Sequence, residues 1–178
     1  VSAMSRKLRE KGAEVLELPA ISTTPIPDNN LLRNAIGELH TYQWLVFTSP
    51  TGVRIFFEAL KAEKKDLRAL AGLKIAVLGS GTAKALESHG LYPDLMPEIF
   101  EGEALGKALA EKLSGGERIL IPRAALGGAE LIEELEKKGV TVDDIPTYDT
   151  LYETPGAVDE KAEFDAGTVD YAVFTSAS

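Results

Sequence analysis

The feature of this sequence that most constrains its fold is a regular alternation of short apolar segments with longer amphipathic ones. Apolar runs such as residues 44–48 and 74–78 are typical of strands that are buried on both faces. Further strands are predicted at residues 92–96, 118–121 and 140–148. Segments of about ten residues between the strands carry apolar side chains at helical spacing. The alternation predicts an α/β fold in which a parallel sheet is flanked by helices on both faces.

Further helices and strands are predicted toward the two ends of the chain. An opening helix ends near Gly12, and residues 13–18 alternate in polarity as a half-buried strand does. One more strand is predicted at residues 171–175. Asp28 is expected to cap a further helix, because a carboxylate accepts backbone N–H groups at a helix start. The apolar face of that helix would carry Leu31, Leu32, Ala35, Ile36 and Leu39.

Two segments that contain proline, residues 21–30 and 149–158, suggest a division of the chain into two lobes. The complete lobe is predicted at residues 23–154. The other lobe is predicted to be discontinuous and incomplete, with residues 1–22 joined by residues 155–178. Each lobe is expected to be a parallel sheet flanked by helices.

Two hinge segments, near residues 20–28 and 149–156, are expected to run side by side between the lobes. An internal repeat supports this organisation, since residues 43–51 align without a gap to residues 170–178. Both copies read as a strand followed by Thr-Ser, and a chance match is the alternative. The chain opens in a helix with no strand before it and stops at a strand that would normally lead into a helix, so it is expected to be cut at both ends.

Composition argues against several classes of function. The chain has 178 residues and a net charge of −9, from 19 basic and 28 acidic residues. Duplex nucleic-acid binders usually carry the opposite sign, so no nucleic-acid partner is expected. The lack of cysteine excludes disulfides and thiolate metal sites, and His40 and His89 lack metal-ligand spacing. No apolar run approaches the length of a membrane span, so the sequence predicts a soluble protein without a metal.

Two loops at predicted strand ends are candidates for anion binding. In open parallel sheets, ligands lie at the carboxyl ends of strands, where helix N-termini present free amides. The first candidate loop comprises Thr48, Ser49, Thr51 and Gly52. N-capping by Ser49 or Thr51 is the alternative role there. The second comprises Gly79, Ser80, Gly81 and Thr82, and it departs from a dinucleotide loop because Lys84 stands at the third glycine position.

Arg123 and Tyr148 are further candidates, each at a predicted strand end. Arg123 is expected to bind a carboxylate or phosphate, and a solvated side chain is the alternative. Tyr148 lies where the chain enters the second proline segment, and a protonated phenol there is suited to donating a proton. A structural tyrosine packed at the hinge is its alternative role. The acidic pairs Glu133-Glu134 and Asp143-Asp144 are interpreted as solvated faces.

Taken in order, several motifs resemble those of the uroporphyrinogen-III synthase family. They are Gly12-Ala13-Glu14-Val15, Trp44 to Val53, Ala76 to Ala83, Gly139-Val140 with Tyr148-Asp149-Thr150, and Val173 to Ser178. The resemblance covers essentially the whole chain. It implies two α/β lobes joined by two crossing strands, with an active site in the cleft between them.

The resemblance also implies an activity and a set of site residues. The family converts linear hydroxymethylbilane into uroporphyrinogen III without a cofactor, losing water and inverting the last pyrrole ring. Its tyrosine matches Tyr148, and the threonine of its Gly-x-x-Thr motif matches Thr82. Its two Thr-Ser loops match Thr48-Ser49 and Thr175-Ser176. The protein is accordingly expected to be cytoplasmic and monomeric, either alone or fused to other enzymes of tetrapyrrole biosynthesis.

Two departures from the family pattern bear on activity. The family's opening strand and its arginine would precede Val1, and the glycine-rich loop of the other lobe would follow Ser178. The chain as given is therefore expected to hold one whole lobe and part of another.

A binding protein without catalysis is the alternative function. A hinged two-lobe module for a small anion or sugar would show the same lobes and crossing segments. Sugar binders usually carry aromatic side chains in the cleft, whereas Trp44 and Phe47 read as core strand residues here. A flavodoxin-like nucleotide domain is a weaker alternative, because the glycine fingerprint fails.

Overall fold

The computed structural model describes residues 3–18, 21–153 and 159–173. The chain divides into two compact units, Val1–Ser22 with Leu151–Ser178 and, separately, Thr23–Thr150. We call them the first unit and the second unit. The second unit contains both hydrophobic cores and all of the predicted site residues that the structure describes.

Helices and strands alternate along the described chain. The strands are β1 Ile21–Pro25, β2 Trp44–Phe47, β3 Lys74–Val77, β4 Arg118–Ala124 and β5 Thr141–Tyr152. The α-helices are α1 Ala3–Glu10, α2 Asn30–Gly37, α3 Pro50–Ala62, α4 Ser80–Glu87, α5 Gly102–Ala110, α6 Glu130–Glu136 and α7 Glu160–Asp165. Short 3₁₀ turns occupy Leu39–Thr41 and Leu67–Leu70. Every helix in the described part of the chain is too short or too polar to cross a lipid bilayer.

Among the described residues, the strands form one sheet in the order β1-β5-β4-β2-β3. Strand β2 pairs in parallel with β3 on one side and with β4 on the other, and β4 pairs in parallel with β5. The predicted α/β fold with a parallel sheet flanked by helices is thereby confirmed. Because the connections leave β2 and β4 in opposite directions, the sheet has a topological switch point between these two strands.

The two faces of β2 belong to two separate hydrophobic cores. Leu45 and Phe47 face one core, while Trp44 and Val46 face the other, as the alternation of side chains along a strand requires. The first core is built mainly from α2, α3 and α4, including Ile36, Phe56, Leu60 and Leu86. The second is built from α5 and α6, including Leu105, Leu109, Leu131 and Leu135. Helices therefore cover both faces of the sheet and hold the strand ends in fixed positions.

A polar cluster ties the strands together at their amino ends. Tyr42 is buried, donates a hydrogen bond to the carboxylate of Asp143, and lies under the guanidinium of Arg118, whose Cζ is 4.4 Å from the ring centroid. Arg118 also pairs with Asp143 at 2.8 Å and with Glu38 at 3.0 Å. Asp143 therefore contributes to stability, and its interpretation as part of a solvated face is wrong.

Replacing Tyr42 with phenylalanine is expected to lower the free energy of unfolding by about 1.5–3 kcal/mol, the value of a hydrogen bond to a charged group. Burial, the hydrogen bond to Asp143 and the charge of that carboxylate raise the pKa of Tyr42 above the ordinary tyrosine value. Its stabilisation is therefore fully present below pH of about 10 and is lost as the pH rises further.

Urea unfolding across a pH series measures this effect, with Tyr92→Phe as the control because Tyr92 is exposed. The difference in unfolding free energy between wild type and Tyr42→Phe should shrink above pH of about 10. Equal stabilities of Tyr42→Phe and Tyr92→Phe at neutral pH would contradict the assignment.

Two predicted strands at the ends of the chain are wrong where the structure describes them. Residues 13–18 and 171–173 are irregular, so they do not pair in a second sheet. A strand needs a neighbour to satisfy its backbone groups, and the Val15 carbonyl instead accepts a hydrogen bond from the Arg9 side chain at 2.9 Å. Residues 174 and 175 lie outside the described part of the chain.

The proline-bearing segments contain more regular structure than the sequence predicted. Residues 21–25, interpreted as a linker, form β1, and β5 continues to Tyr152 through part of the second segment. These strands are neighbours in the sheet, and next to them the Ile26 N–H donates to the Thr147 carbonyl at 3.0 Å. Pro25 stands at the end of β1, where its missing N–H is tolerated. Helix α7, in a stretch predicted only as polar, begins after Asp159, which caps it.

The cap of α2 is Asn29, and the prediction of Asp28 is wrong by one residue. Asn29 accepts the Leu32 N–H at 3.0 Å and donates to the Pro146 carbonyl at 2.7 Å. Asp28 has a positive φ of 47° and belongs to the preceding turn. The amide side chain can do both jobs at once, which a carboxylate cannot, so Asn29 also fastens α2 to β5.

Candidate functional site

The candidate site lies in the second unit, at the carboxyl ends of the parallel strands. Thr48 and Ser49 follow β2, Gly79 follows β3, and Arg123 lies near the end of β4. Since carboxyl ends of parallel strands meet at one edge of a sheet, the structure brings these predicted residues to the same edge. This edge includes the switch point between β2 and β4, where open α/β sheets bind ligands.

Helix α3 starts at this edge with a complete cap. Ser49 Oγ accepts the Gly52 N–H at 3.0 Å, and Pro50 follows as the first helical residue. N-capping, the alternative role for Ser49, is thus present. Gly52 is required by close packing, because an added Cβ would lie 2.9 Å from the carbonyl oxygen of Pro122 on β4. The half-buried side chains of Thr48 and Thr51 flank this turn.

Helix α4 starts beside it without a side-chain cap, because its N-cap residue is Gly79. The first hydrogen bond of the helix runs from the Ala83 N–H to the Gly79 carbonyl. Three N–H groups come before it and have no acceptor among the described residues, those of Ser80, Gly81 and Thr82. An added Cβ at Gly81 would lie 3.8 Å from Pro50 Cγ, so the two helix starts are adjacent. The positive ends of two helix dipoles therefore converge here, with free donors on α4.

Thr82 adds a hydroxyl to these donors. The residue is only 4% exposed, yet its hydroxyl has no hydrogen-bond partner in the described part of the chain and is not sealed from solvent. Buried polar groups are normally satisfied, so an unpaired hydroxyl at a helix start is suited to binding a ligand or water. Thr82 matches the Gly-x-x-Thr threonine singled out in the sequence.

Tyr148 reaches the same edge from β5. It is 6% exposed and belongs to the first core, while its Oη lies 2.7 Å from Ser49 Oγ. Ser49 Oγ already accepts the Gly52 N–H, and its own proton is free to be donated to Tyr148. In that arrangement the phenolic proton of Tyr148 is available to another acceptor. Tyr148 is therefore packed in the core, as in the alternative role, and its hydroxyl also contacts Ser49 at the site.

Arg123 makes three hydrogen bonds within the protein, and the alternative of a solvated side chain is wrong. Its Nε and Nη2 donate to the two oxygens of Asp144, both at 2.7 Å, and Nη1 donates to the Gly128 carbonyl at 2.6 Å. The guanidinium is packed so closely under the loop that an added Cβ at Gly127 would lie 2.5 Å from Nη1. Arg123 thus joins β4, β5 and the loop after β4. Asp144 is likewise no part of a merely solvated face, and the binding of a substrate anion by Arg123 stays a prediction.

Replacing Arg123 with glutamine is expected to lower the free energy of unfolding by about 2 kcal/mol, because a buried guanidinium loses its bidentate pair with the partly exposed Asp144 and its contact with the loop. The amides of residues 125–128 should also exchange faster with solvent. Thermal melts and hydrogen exchange measure both effects. Arg54→Gln is the control, because the Arg54–Glu58 pair is exposed and worth less than about 0.5 kcal/mol. Equal losses in the two variants would refute a structural role for Arg123.

Thr175 and Ser176 lie outside the described residues, so their predicted contacts are untested. A cavity of about 290 Å³ between α2 and α3 is lined by none of the predicted site residues. Within the described ranges, no group of three His, Asp or Glu side chains is arranged to hold a metal ion.

Sequence reasoning missed the partners of Arg123 and Tyr148. Asp144 lies 21 residues from Arg123, and Ser49 lies 99 residues from Tyr148. No local pattern encodes such pairs. The only available signal was that Ser49, Arg123 and Tyr148 fall at or near the ends of predicted strands, whereas Asp144 lies in the middle of one.

Comparison with known proteins agrees with the motifs. A family model described as Uroporphyrinogen-III synthase HemD matches residues 2–178. The chain belongs to this family. The porphyrin biosynthesis protein HemD of Ruminiclostridium josui is 39% identical over 172 residues, which cover 97% of this chain and 34% of that protein. The uroporphyrinogen-III synthase of Synechococcus elongatus is 31% identical over 150 residues, covering 84% and 56%.

Solved structures of the family share the fold. A mutant uroporphyrinogen III synthase of Thermus thermophilus superposes with a TM-score of 0.67 at 23% identity, covering 94% of this chain and 66% of that chain. The chain thus spans between a third and about half of the length of the two curated relatives. The predicted family membership is confirmed.

Proposed function

We propose that this protein, at full length, cyclises hydroxymethylbilane to uroporphyrinogen III, with inversion of the last pyrrole ring and loss of water. It would thus be a cofactor-independent lyase of tetrapyrrole and heme biosynthesis. The observation that carries the proposal is the family match over residues 2–178. The pairing of Tyr148 with Ser49, beside the uncapped start of α4, is consistent with it.

A polycarboxylate substrate has to be held by local donors. The net charge of −9 opposes long-range attraction of an anion, so binding would rest on short contacts. The free N–H groups of Ser80, Gly81 and Thr82 and the hydroxyl of Thr82 are such donors. The neighbouring residues Thr48, Ser49, Thr51, Gly52 and Gly79 would complete the substrate-binding edge.

Tyr148 would act as the acid for loss of water. Its Oη gives a proton to the hydroxyl of the substrate's hydroxymethyl group, the carbon–oxygen bond breaks, and water leaves. The nitrogen of the attached pyrrole donates its electron pair into the ring, the ring double bonds shift, and a ring electron pair forms the new double bond to the methylene carbon. Ser49, donating to Tyr148 Oη, would stabilise the phenolate until it regains a proton, which the last ring loses after ring closure.

Positioning would provide the inversion. The linear substrate can close by itself to the uninverted isomer, so the protein has to bring a substituted ring carbon to the reactive methylene. The bond from that carbon to the neighbouring bridge then breaks and forms again at the unsubstituted position of the same ring, which inverts the ring. The substrate's carboxylates, bound by the N–H groups at the start of α4, would hold the chain of pyrroles in that arrangement. The reaction therefore needs orientation and one acid rather than a metal or organic cofactor.

The two-lobe arrangement is part of the same proposal. The lobes would be residues 23–154 and residues 1–22 with 155–178, and the division into two compact units supports these boundaries. Since both chain crossings between the units fall within β1 and β5, these strands are the proposed hinge segments. Thr175 and Ser176 would supply the matching Thr-Ser loop from the other lobe. We further propose a cytoplasmic monomer, alone or fused to other tetrapyrrole enzymes.

A hinged binding module without catalysis is not favoured, because the chain belongs to a family of synthases. The deciding experiment incubates the full-length protein with hydroxymethylbilane and separates the type III from the type I product after oxidation. Excess type III over a protein-free control supports the proposal. Type I alone, at the rate of the control, would refute it.

A further inference from the structure

A loop at residues 96–101 lies beside the start of α4, and it carries the exposed apolar side chains of Met96, Ile99 and Phe100 together with Glu98 and Glu101. The chain before this loop is firmly anchored. The Asp94 carboxylate accepts the Ile75 N–H at 2.7 Å, and the Leu95 carbonyl accepts the Val77 N–H at 2.9 Å. Leu95 also forms a parallel bridge with Ala76, where the sequence predicted a strand at residues 92–96. The 96–101 loop therefore leaves the edge of β3 from a fixed point and runs past the carboxyl end of that strand.

Phe100 packs directly on Gly79, the residue that begins α4. An added Cβ at Gly79 would lie 3.2 Å from Phe100 Cγ and 3.4 Å from Cδ2, so the ring rests where a side chain would otherwise stand. Gly79 thus has a second purpose besides leaving the helix uncapped. Its contact places an aromatic ring next to the free N–H groups of α4.

Much of this loop's apolar surface remains open. Phe100 is 53% exposed, Ile99 is 62% exposed and Met96 is 43% exposed. Clustered exposed apolar side chains are unusual on a soluble protein and mark binding surfaces. Here the surface adjoins three free amides and the unpaired hydroxyl of the 4% exposed Thr82. A complementary ligand has an apolar flat ring and a carboxylate attached to it.

We propose that Phe100 is a specificity-determining residue, whose open ring face binds one pyrrole ring of the substrate while a carboxylate of that ring binds the start of α4. The identification of the ring as a pyrrole rests on the proposed function. Electron-rich rings pack favourably against a phenylalanine in offset or edge-to-face geometry. The amides fix the carboxylate and Phe100 fixes the plane of the ring, so together they define the orientation of one ring of a flexible chain.

The test compares two probes that differ only by the ring, pyrrole-3-propionate and propionate. Binding of each to this chain is followed by NMR through the amide shifts of Ser80, Gly81 and Thr82. Wild type should bind pyrrole-3-propionate about tenfold more tightly than propionate, a typical contribution of an aromatic contact with burial of the ring. Phe100→Ala should lose this preference while its affinity for propionate is unchanged, and Phe100→Tyr should retain it.

Two further variants make the result decisive. Tyr92→Ala removes an aromatic side chain that is 76% exposed earlier in the same connection and should change neither affinity. Phe100→Leu keeps apolar packing on Gly79 without an aromatic face, so it should lose most of the preference even if Phe100→Ala proves poorly folded. Equal affinity of wild type for the two probes, binding of neither, or a parallel loss of both in Phe100→Leu would overturn the proposal. Since the probes need no turnover, failure here is distinct from failure of the cyclisation assay.

Discussion

Replacing Tyr148 with phenylalanine is expected to lower kcat for hydroxymethylbilane by about 10²–10⁴-fold, the usual contribution of a positioned acid. The ring stays in the first core and only the hydroxyl is removed, so KM should change little. Stability should also change little, because Ser49 Oγ still accepts the Gly52 N–H at 3.0 Å. Steady-state kinetics with separation of the type III and type I products measures the effect. Type III product should persist at the lower rate, since binding of the substrate is retained.

Ser49→Ala tests the contribution of the hydrogen bond between Ser49 and Tyr148. This variant loses both the α3 cap and the contact with Tyr148, so it should lose about 1 kcal/mol of stability and a smaller share of kcat than Tyr148→Phe. Ser49→Thr retains the hydroxyl and should recover most of both. Tyr148→Phe turning over at the wild-type rate would eliminate the acid role. A Tyr148→Phe variant that is unfolded would assign the hydroxyl of Tyr148 a structural role through its contact with Ser49.

The two ends of the sheet differ in their free donors: the polar groups described at the amino ends are paired within the protein, whereas the carboxyl ends have unpaired donors beside the Arg123–Asp144 pair. At the amino ends of β4 and β5, Arg118 and Asp143 bind each other and Tyr42, so the charges there are used for stability. At the carboxyl ends, the N–H groups at the start of α4 have no acceptor among the described residues. Unused donors cost stability and are retained where a ligand satisfies them. The free donors and the proposed chemistry therefore occur at the same edge.

The elements that could be predicted from the sequence are those with strong local patterns. Residues 44–48 and 74–78 are apolar enough to identify β2 and β3, and glycine and hydroxyl residues after them mark the starts of α3 and α4. The parallel sheet followed from the alternation with helices. Residues 13–18 alternate equally well but are irregular, because a strand also requires a hydrogen-bonded neighbour, which no local pattern reports.

The loops that form the candidate site could be predicted from the sequence, but the side-chain contacts between them could not. The uncapped start of α4 could be anticipated, since Gly79 has no side chain to act as a cap. The pairing of Arg123 with Asp144 could not be anticipated, because it is a diagonal contact between β4 and β5: Asp144 is in register with Ile121, and Arg123 is in register with Pro146. The packing of Phe100 on Gly79 was also hidden, since the loop before α5 carries no periodic pattern.

Replacing Gly81 with aspartate is expected to raise the KM for hydroxymethylbilane about 100-fold while leaving the fold intact. An aspartate in the first turn of α4 is favourable to the helix, because it interacts with the positive end of the helix dipole. An added Cβ at Gly81 meets only Pro50 Cγ, at 3.8 Å, so there is room for the side chain. The same carboxylate competes for the free amides of α4 and repels a substrate carboxylate a few ångströms away, which costs roughly 3 kcal/mol at an intermediate dielectric constant. Initial rates over a range of substrate concentrations and a thermal melt measure the two effects.

Gly81→Asn is the matched control, because it has nearly the same shape and lacks the charge. It should retain most of the affinity, and added salt should lower the KM of Gly81→Asp but have little effect on that of Gly81→Asn, since salt screens the repulsion. Gly37→Asp places the same charge at the end of α2, where an added Cβ contacts nothing within 4 Å, and it should leave KM unchanged. If Gly81→Asp and Gly81→Asn raise KM equally, the loop is sensitive to bulk and α4 does not bind the substrate's carboxylates. If all three variants have the wild-type KM, the carboxylates bind elsewhere, and the free amides at the start of α4 serve another purpose.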